Sequence, residues 1–203
     1  MQKRFFVFLC GILLCALVSM APLCGDDDDD NDSGGGDDDA GDDDSSQPSP
    51  EVWQDIDTGW NWLQINPPTG QCYDWYQADL GCKAANAEGR SWSLPSISEL
   101  RSLVTGCDEL YTDGECGLTD SCSSSEDCYN SDACLACEEG QGPNNGCYSL
   151  PGLSGECFIY WSSTFNTLYE NDEEAWYIDY RYADIMAGSP EGCAQKLRCI
   201  SKD

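Results

Sequence analysis

The spacing of apolar side chains divides the chain into three parts. Behind Lys3 and Arg4, Phe5 to Met20 form a continuous apolar run. Residues 25–50 then contain no Val, Ile, Leu, Met or aromatic side chain at all. From Val52 onward the apolar positions become periodic. Val52, Gln54 and Ile56 alternate with Trp53 and Asp55, Asp57-Thr58-Gly59 offers a turn, and Trp60 and Trp62 resume the alternation, which predicts a β-hairpin. Trp75, Ala78, Cys82 and Ala85 recur at helical spacing, with Asp74 placed to cap the helix and Gly89 to stop it. After a short extended piece from Ser91 to Leu94, Pro95 leads into Ser96-Ile97-Ser98-Glu99. This is a capping box, in which the Ser96 and Glu99 side chains each satisfy an orphan amide of the other. Ile97, Leu100 and Val104 would form the apolar face of this second helix, and Gly106 would end it.

Between Cys107 and Cys157 the periodicity disappears. The stretch holds eight cysteines and few aliphatic residues, and it is rich in Ser, Gly, Asn and Asp. Such a composition predicts a segment held by cross-links instead of burial. Alternation returns in Tyr160-Trp-Ser-Ser-Thr164 and from Ala175 to Tyr182, where Trp176, Ile178, Tyr180 and Tyr182 share one face. Gly188 to Gly192 turns, and Leu197 to Ser201 forms a last strand. Strands, two helices, a cross-linked insert over about residues 106–157 and further strands make an α+β domain over residues 51–203.

The first 50 residues are not domain material. A basic start and a sixteen-residue apolar run are too short for a membrane span and suit an export signal over residues 1–24. Cys24 follows that run directly, as in a lipoprotein signal, which predicts a lipidated Cys24, although Leu23 stands where a small residue belongs. The alternative is cleavage after Ser19-Met20-Ala21 and simple secretion, which Pro22 disfavours. The expected location is the cell envelope, as an outer-membrane or surface lipoprotein, or otherwise the periplasm or the exterior. Residues 25–50, with twelve aspartates and no base, cannot repay the entropy of ordering and read as an extended, disordered spacer. Cysteine usage agrees with export. Cys10 and Cys15 lie in the signal and Cys24 stands alone. The other twelve are Cys72, Cys82, Cys107, Cys116, Cys122, Cys128, Cys134, Cys137, Cys147, Cys157, Cys193 and Cys199, an even number able to pair completely.

Charge and chemistry narrow the functions. The chain carries a formal charge of −29. With the twelve linker aspartates, Lys3 and Arg4 set aside, residues 51–203 keep 26 acids and 7 bases. That surplus repels nucleic acid and anionic lipid, so contact with a membrane is expected only through a lipid anchor. No histidine is present, which excludes Ser-His and Cys-His nucleophilic triads. Cys134-x-x-Cys137 has the spacing of a zinc or redox site, but among so many cysteines of an exported chain it reads as disulfide material. Glu170, Asp172, Glu173 and Glu174 form the best local group of oxygen ligands for a hard cation, and a solvated loop has the same composition. No cofactor is expected; calcium at that cluster is the exception.

Five blocks in order carry a resemblance: Trp75-x-x-Ala78-x-x-x-Cys82, SWSLPSISELRSL at 91–103, YWSST at 160–164, EAWYIDY at 174–180 and LRCIS at 197–201. Together they resemble the C-terminal domain family of the Legionella collagen-like adhesins, over about residues 52–201 with the insert interrupting. Ser93 stands where that family usually has arginine, and Ser96 where it has threonine. The resemblance implies a C-type-lectin-like fold, a Cys82–Cys199 disulfide joining the first helix to the last strand, and export. It also implies a binding or adhesion-type module without catalysis, whose partner is a glycan or an envelope protein. A purely structural envelope protein is the alternative. The distant formylglycine-generating enzymes of similar fold are echoed only by Cys193 and Cys199. The calcium-dependent lectins' motifs are incomplete here, since Gly142-Pro143-Asn144 lacks the first carboxylate and Asn171-Asp172 the preceding tryptophan. A shared fold does not transfer a ligand. The seven bases, Lys83, Arg90, Arg101, Arg181, Lys196, Arg198 and Lys202, are scattered among acids, so a sulfated glycan is not expected to bind.

Overall fold

The structure, a computed structural model, describes residues 51–66, 71–124, 128–153, 157–166, 173–194 and 196–203. The expected signal at 1–24, with Cys24, and the linker at 25–50 lie outside these residues. Chain order gives β1 (Val52–Gln54), β2 (Asn61–Ile65), α1 (Trp75–Ala84), α2 (Ile97–Arg101), α3 (Ser131–Cys134), β3 (Ile159–Asn166), β4 (Glu174–Asp179), β5 (Asp184–Gly188) and β6 (Leu197–Ser201). The architecture is α+β, with two small antiparallel sheets in the orders β1-β2-β6 and β3-β4-β5.

The first sheet brings the two ends of the domain together. β2 pairs with β1 through Trp53 opposite Trp62, and with β6 through Trp62 opposite Ile200 and Leu63 opposite Cys199. Ser93, in the extended piece before α2, adds a bridge to Ile200. The hairpin turn is held by Asp55, which is buried. Its carboxylate accepts from the Asp57 amide at 3.0 Å and the Thr58 hydroxyl at 2.6 Å. Both helix starts are capping boxes, Asp74 with Gln77 on α1 and Ser96 with Glu99 on α2. α1 stops at Ala84, before Gly89, which lies in a separate tight turn with φ +66°. α2 ends at Arg101, and the chain then continues through turns that still bury Leu103 and Val104.

The Tyr160–Thr164 block explains why the second sheet, α2 and the insert meet at one point. β3 changes register with β4 between Trp161 and Phe165, and the freed groups bond outward. The Ser163 amide donates to the Pro95 carbonyl at 2.7 Å. The Thr164 hydroxyl accepts from the Ile97 amide at 3.0 Å and donates to Asp120 at 3.2 Å. Asp120 in turn exchanges bonds with Ser98, taking its amide at 3.1 Å and giving its own amide to the hydroxyl at 3.0 Å.

Besides the earlier ends of α1 and α2, two further sequence expectations are corrected. The strand expected from Ala175 to Tyr182 ends at Asp179. The chain turns through Tyr180–Ala183, with Ala183 at φ +55°, and returns as β5. Trp176, Ile178 and Tyr180 are buried on the core side, but Tyr182 is only half-buried beyond the turn. The insert, expected to rely on cross-links in place of burial, uses both. Leu110, Cys116, Leu118, Cys134 and Tyr148 are buried in the same cluster as Trp62, Ile97, Leu100, Trp176 and Ile200. Few as they are, most of its described apolar side chains point inward, with Leu135 exposed at 43% as the exception.

Arg101 is the anchor of that arrangement. It is 1% exposed, and its guanidinium donates to the carbonyls of Leu110, at 3.0 Å, Tyr111 and Leu118. Burial lowers its pKa and the nearby Asp113 raises it. Arg198 on β6 is also buried. Its guanidinium lies 4.3 Å from the ring centre of Tyr160 on β3 and donates to Gln64 on β2 at 3.1 Å, which links the two sheets.

All twelve cysteines of the domain are paired. Cys72–Cys193 and Cys82–Cys199 span 121 and 117 residues of the framework. In the insert Cys107–Cys137, Cys116–Cys134 and Cys122–Cys128 are concentric, and Cys147–Cys157 follows them.

Replacing Arg101 with methionine leaves three carbonyls without their donor. At about 1–3 kcal/mol for each buried group left unsatisfied, and with some relaxation, the variant should lose about 3 kcal/mol or more. Lysine should restore little, because its ammonium cannot reproduce the planar fork. Urea unfolding with disulfides intact measures both. The double variant Cys82→Ala, Cys199→Ala should lose about 2–5 kcal/mol in the same assay.

Candidate functional site

β4 and β5 form a tight hairpin whose register sets Tyr177 opposite Met186 and Asp179 opposite Asp184. The strand period of two puts Tyr177 and Asp179 on the same side, away from Trp176, Ile178 and Tyr180. Asp179 is 2% exposed. Its carboxylate accepts the Arg181 amide at 3.0 Å and the Arg181 Nε at 2.9 and 3.1 Å, with a further bond from the second guanidinium nitrogen. These bonds raise the Arg181 pKa. Among the described residues Asp184 has no such cation. Burial and the Asp179 charge push its carboxyl up to about 6.

Two tyrosines border this pair. Burial, then the Asp179 and Asp184 charges, raise the Tyr177 phenol, whose hydroxyl lies 3.7 Å from Met186 Sδ. Tyr129, from the insert, stacks on Trp176 with ring centres 5.1 Å apart, and burial, Asp184 and Tyr177 raise its pKa. Around the turn the Gly140 amide donates to the Arg181 carbonyl at 3.0 Å, and the Tyr182 phenol is raised first by its hydrogen bond to Glu139. Perturbed groups thus gather where the insert meets the second sheet, which is where a functional surface is most reasonably sought. Chemically the surface offers ring faces, hydroxyls and one carboxyl poised between acid and anion. The other carboxylate is committed to Arg181.

A second surface is aromatic. Trp75 at the start of α1 makes an edge contact with Tyr76, with centres 5.4 Å apart, and a tilted contact with Phe165 on β3 at 4.7 Å. Tyr76 is 48% exposed and Leu80, one turn on, 65%.

The other expected positions separate. Cys134-x-x-Cys137 does not act as a unit, since Cys134 bonds Cys116 and Cys137 bonds Cys107. Among the described residues the side chains that converge as for a metal are Cys107, Glu109 and Cys137, within 4.8 Å of one another, and both sulfurs are spent on their own disulfide. Of the acidic group, Glu170 and Asp172 lie outside the described residues and Glu173 is exposed. Glu174 accepts from Asn166 at 3.1 Å across the β3–β4 pair. Cys82 and Cys199, which the resemblance joins, are bonded, with Cα atoms 5.4 Å apart. Asp179, Asp184, Tyr129 and Tyr177 were not singled out by sequence. The signal available was the alternation in EAWYIDY followed by a turn and DIMAG.

The family model for the Lcl C-terminal domain matches residues 51–201. The chain belongs to the Lcl C-terminal domain family. No curated protein and no solved structure matches it. As an Lcl C-terminal domain it has the character of an adhesion-related module of bacterial surface or extracellular proteins. Among the described residues no helix is long and apolar enough to cross a membrane.

Asp184 gives this domain a pH dependence of defined sign. Its folded pKa of about 6 lies above the ordinary 3.8, so the folded state holds the proton more tightly. Stability from this group is therefore fully present below the ordinary value and falls as pH rises through about 6. Asp184→Asn should stabilise the domain at neutral pH, and the gain should vanish in acid. Urea midpoints of both proteins across this range test it.

Proposed function

We propose that this Lcl C-terminal domain is a binding module of adhesion type with a C-type-lectin-like fold, held at the cell envelope by lipidated Cys24 and the acidic spacer. It performs no catalysis, and its ligand is neutral or reaches the protein through a cation. The fold reading is supported by the pairing of the terminal strands in one sheet and by the long Cys82–Cys199 bridge.

The observation that carries the ligand class is the placement of the seven bases. Arg101 and Arg198 are interior. Lys83 pairs with Asp79, Arg90 with Glu88, Arg181 with Asp179 and Lys202 with Glu99. Lys196 bonds Asn66 and lies 5.2 Å from the Phe158 ring centre. Lys196, Arg198 and Lys202, the near neighbours in sequence, thus do not combine into one cationic surface for sulfate. No Lys or Arg occurs from residue 102 to 180, so the field over the insert opposes polyanions. Aromatic side chains are the natural contact for an uncharged sugar ring, and among the described residues Tyr76, backed by Trp75 and Phe165, is the exposed one.

Two measurements test the proposal. The mature chain should pass through heparin-agarose unretained at physiological salt, while a glycan array with and without calcium should yield neutral ligands. Retention on heparin, or an array without hits, defeats the reading. Cys24→Ser should release the protein from membranes and abolish fatty-acid labelling; an unlabelled wild type would leave simple secretion in its place.

A further inference from the structure

The insert contains a chemically exposed backbone position independent of any ligand. Asn144 and Cys147 exchange main-chain hydrogen bonds, Asn144 N–H to Cys147 O at 3.1 Å and Cys147 N–H to Asn144 O at 2.9 Å. The two residues between them, Asn145 at φ +53° and Gly146 at φ +88°, form a tight turn of the kind that favours Asn-Gly. The two asparagines differ. Asn144 is tied down by its Nδ2, which donates to Ser149 Oγ at 3.5 Å and to the Leu150 carbonyl at 3.4 Å. The Asn145 side chain is exposed, has no hydrogen-bond partner among the described residues, and is followed by the one residue type that leaves the next amide nitrogen unhindered. What restrains that nitrogen is a single bond, Gly146 N–H to Gly142 O at 3.0 Å.

We infer that Asn145 is a site of spontaneous deamidation, in which the exposed Asn145-Gly146 turn closes to a succinimide and opens to aspartate or isoaspartate. When the Gly146–Gly142 bond breaks, the Gly146 nitrogen loses its proton to solvent and attacks Asn145 Cγ. The new C–N bond closes a five-membered imide, and ammonia leaves with the proton. Water then adds to either imide carbonyl. One opening places a carboxylate at position 145. The other also transfers the main chain to the former side chain, adding a methylene between Asn144 and Cys147. Either product adds negative charge to a stretch without a base. The longer main chain no longer fits a two-residue turn, and it disturbs the Asn144–Cys147 main-chain pairing and the segment that carries the Cys147–Cys157 bridge.

The experiment uses the full mature chain with disulfides intact, incubated in mildly alkaline buffer, sampled over time and mapped by peptide mass spectrometry that separates isoaspartate from aspartate. Asn145→Gln and Gly146→Ala are treated in parallel. Conversion should accumulate at position 145 and not at Asn144, disappear in Asn145→Gln and slow several-fold in Gly146→Ala. Alanine at φ +88° strains the turn, so Asn145→Gln, with near-ultraviolet circular dichroism to verify folding, is the deciding control. Two results overturn the inference: an Asn145 that stays an amide in the folded chain while the reduced, digested peptide converts, or conversion of Asn144 at the same rate.

Discussion

A guanidinium removed from water must find acceptors for its donors, and Arg101 finds them in a segment that is otherwise fixed by the Cys107–Cys137 and Cys116–Cys134 bridges. The carbonyls of Leu110, Tyr111 and Leu118 converge on it from two turns of the insert. That convergence dictates how the chain runs from Cys107 to Leu118, and so which way Leu110 and Leu118 face. With them inside, the insert closes the main core over Leu100 and Tyr180. Asp120 then reaches the start of α2 and the Thr164 hydroxyl. The framework therefore holds the insert at both ends of one short helix, by a cation at its last residue and an anion at its first turn. The acid there also suits the positive end of that helix.

The two sheets are coupled by the same kind of device. Arg198 lies over Tyr160, and both bond Gln64, so β6, β3 and β2 meet at one polar contact inside an otherwise apolar interior. Buried polar groups of this kind hold a geometry well when bonded and cost heavily when one partner is removed. The Cys82–Cys199 bridge secures the opposite face of β6, against α1. A small domain with most of its described residues outside helices and strands thus gains definition from a few strong, directional links as well as from its core.

What sequence revealed was local. Asp74 and the Ser96–Glu99 box announced their helices because capping is decided within four residues. The first hairpin was legible from alternation and its turn. Arg101 was read only as one of seven bases scattered among acids, because its acceptors are backbone carbonyls, which leave no trace in residue identity. β5 escaped because Asp184, Ala187 and Gly188 have poor strand propensity and the strand forms only by pairing with β4. With β5 unseen, the Asp179–Asp184 pair could not be foreseen, and neither could the Tyr129 contact that the insert brings to it. The framework disulfide came from family likeness, since spacing alone does not choose among the pairings of twelve cysteines.

The disulfides fall into two sets with no bridge between them. The insert's bridges are nested like parentheses, while Cys72–Cys193 and Cys82–Cys199 enclose them and cross each other. A chain exported amino end first presents Cys72 and Cys82 early, and their proper partners last of all. In between, eight other thiols arrive in the oxidising compartment. Vectorial delivery thus works against the framework and for the insert, whose short loops can close as they emerge. Reaching the native set requires either that Cys72 and Cys82 stay reduced until the final strand is delivered, or that premature bonds be reshuffled. Under the proposed export, maturation of this domain is tied to the isomerising capacity of the compartment that receives it, and its yield should respond to that machinery more than to the rate of oxidation itself.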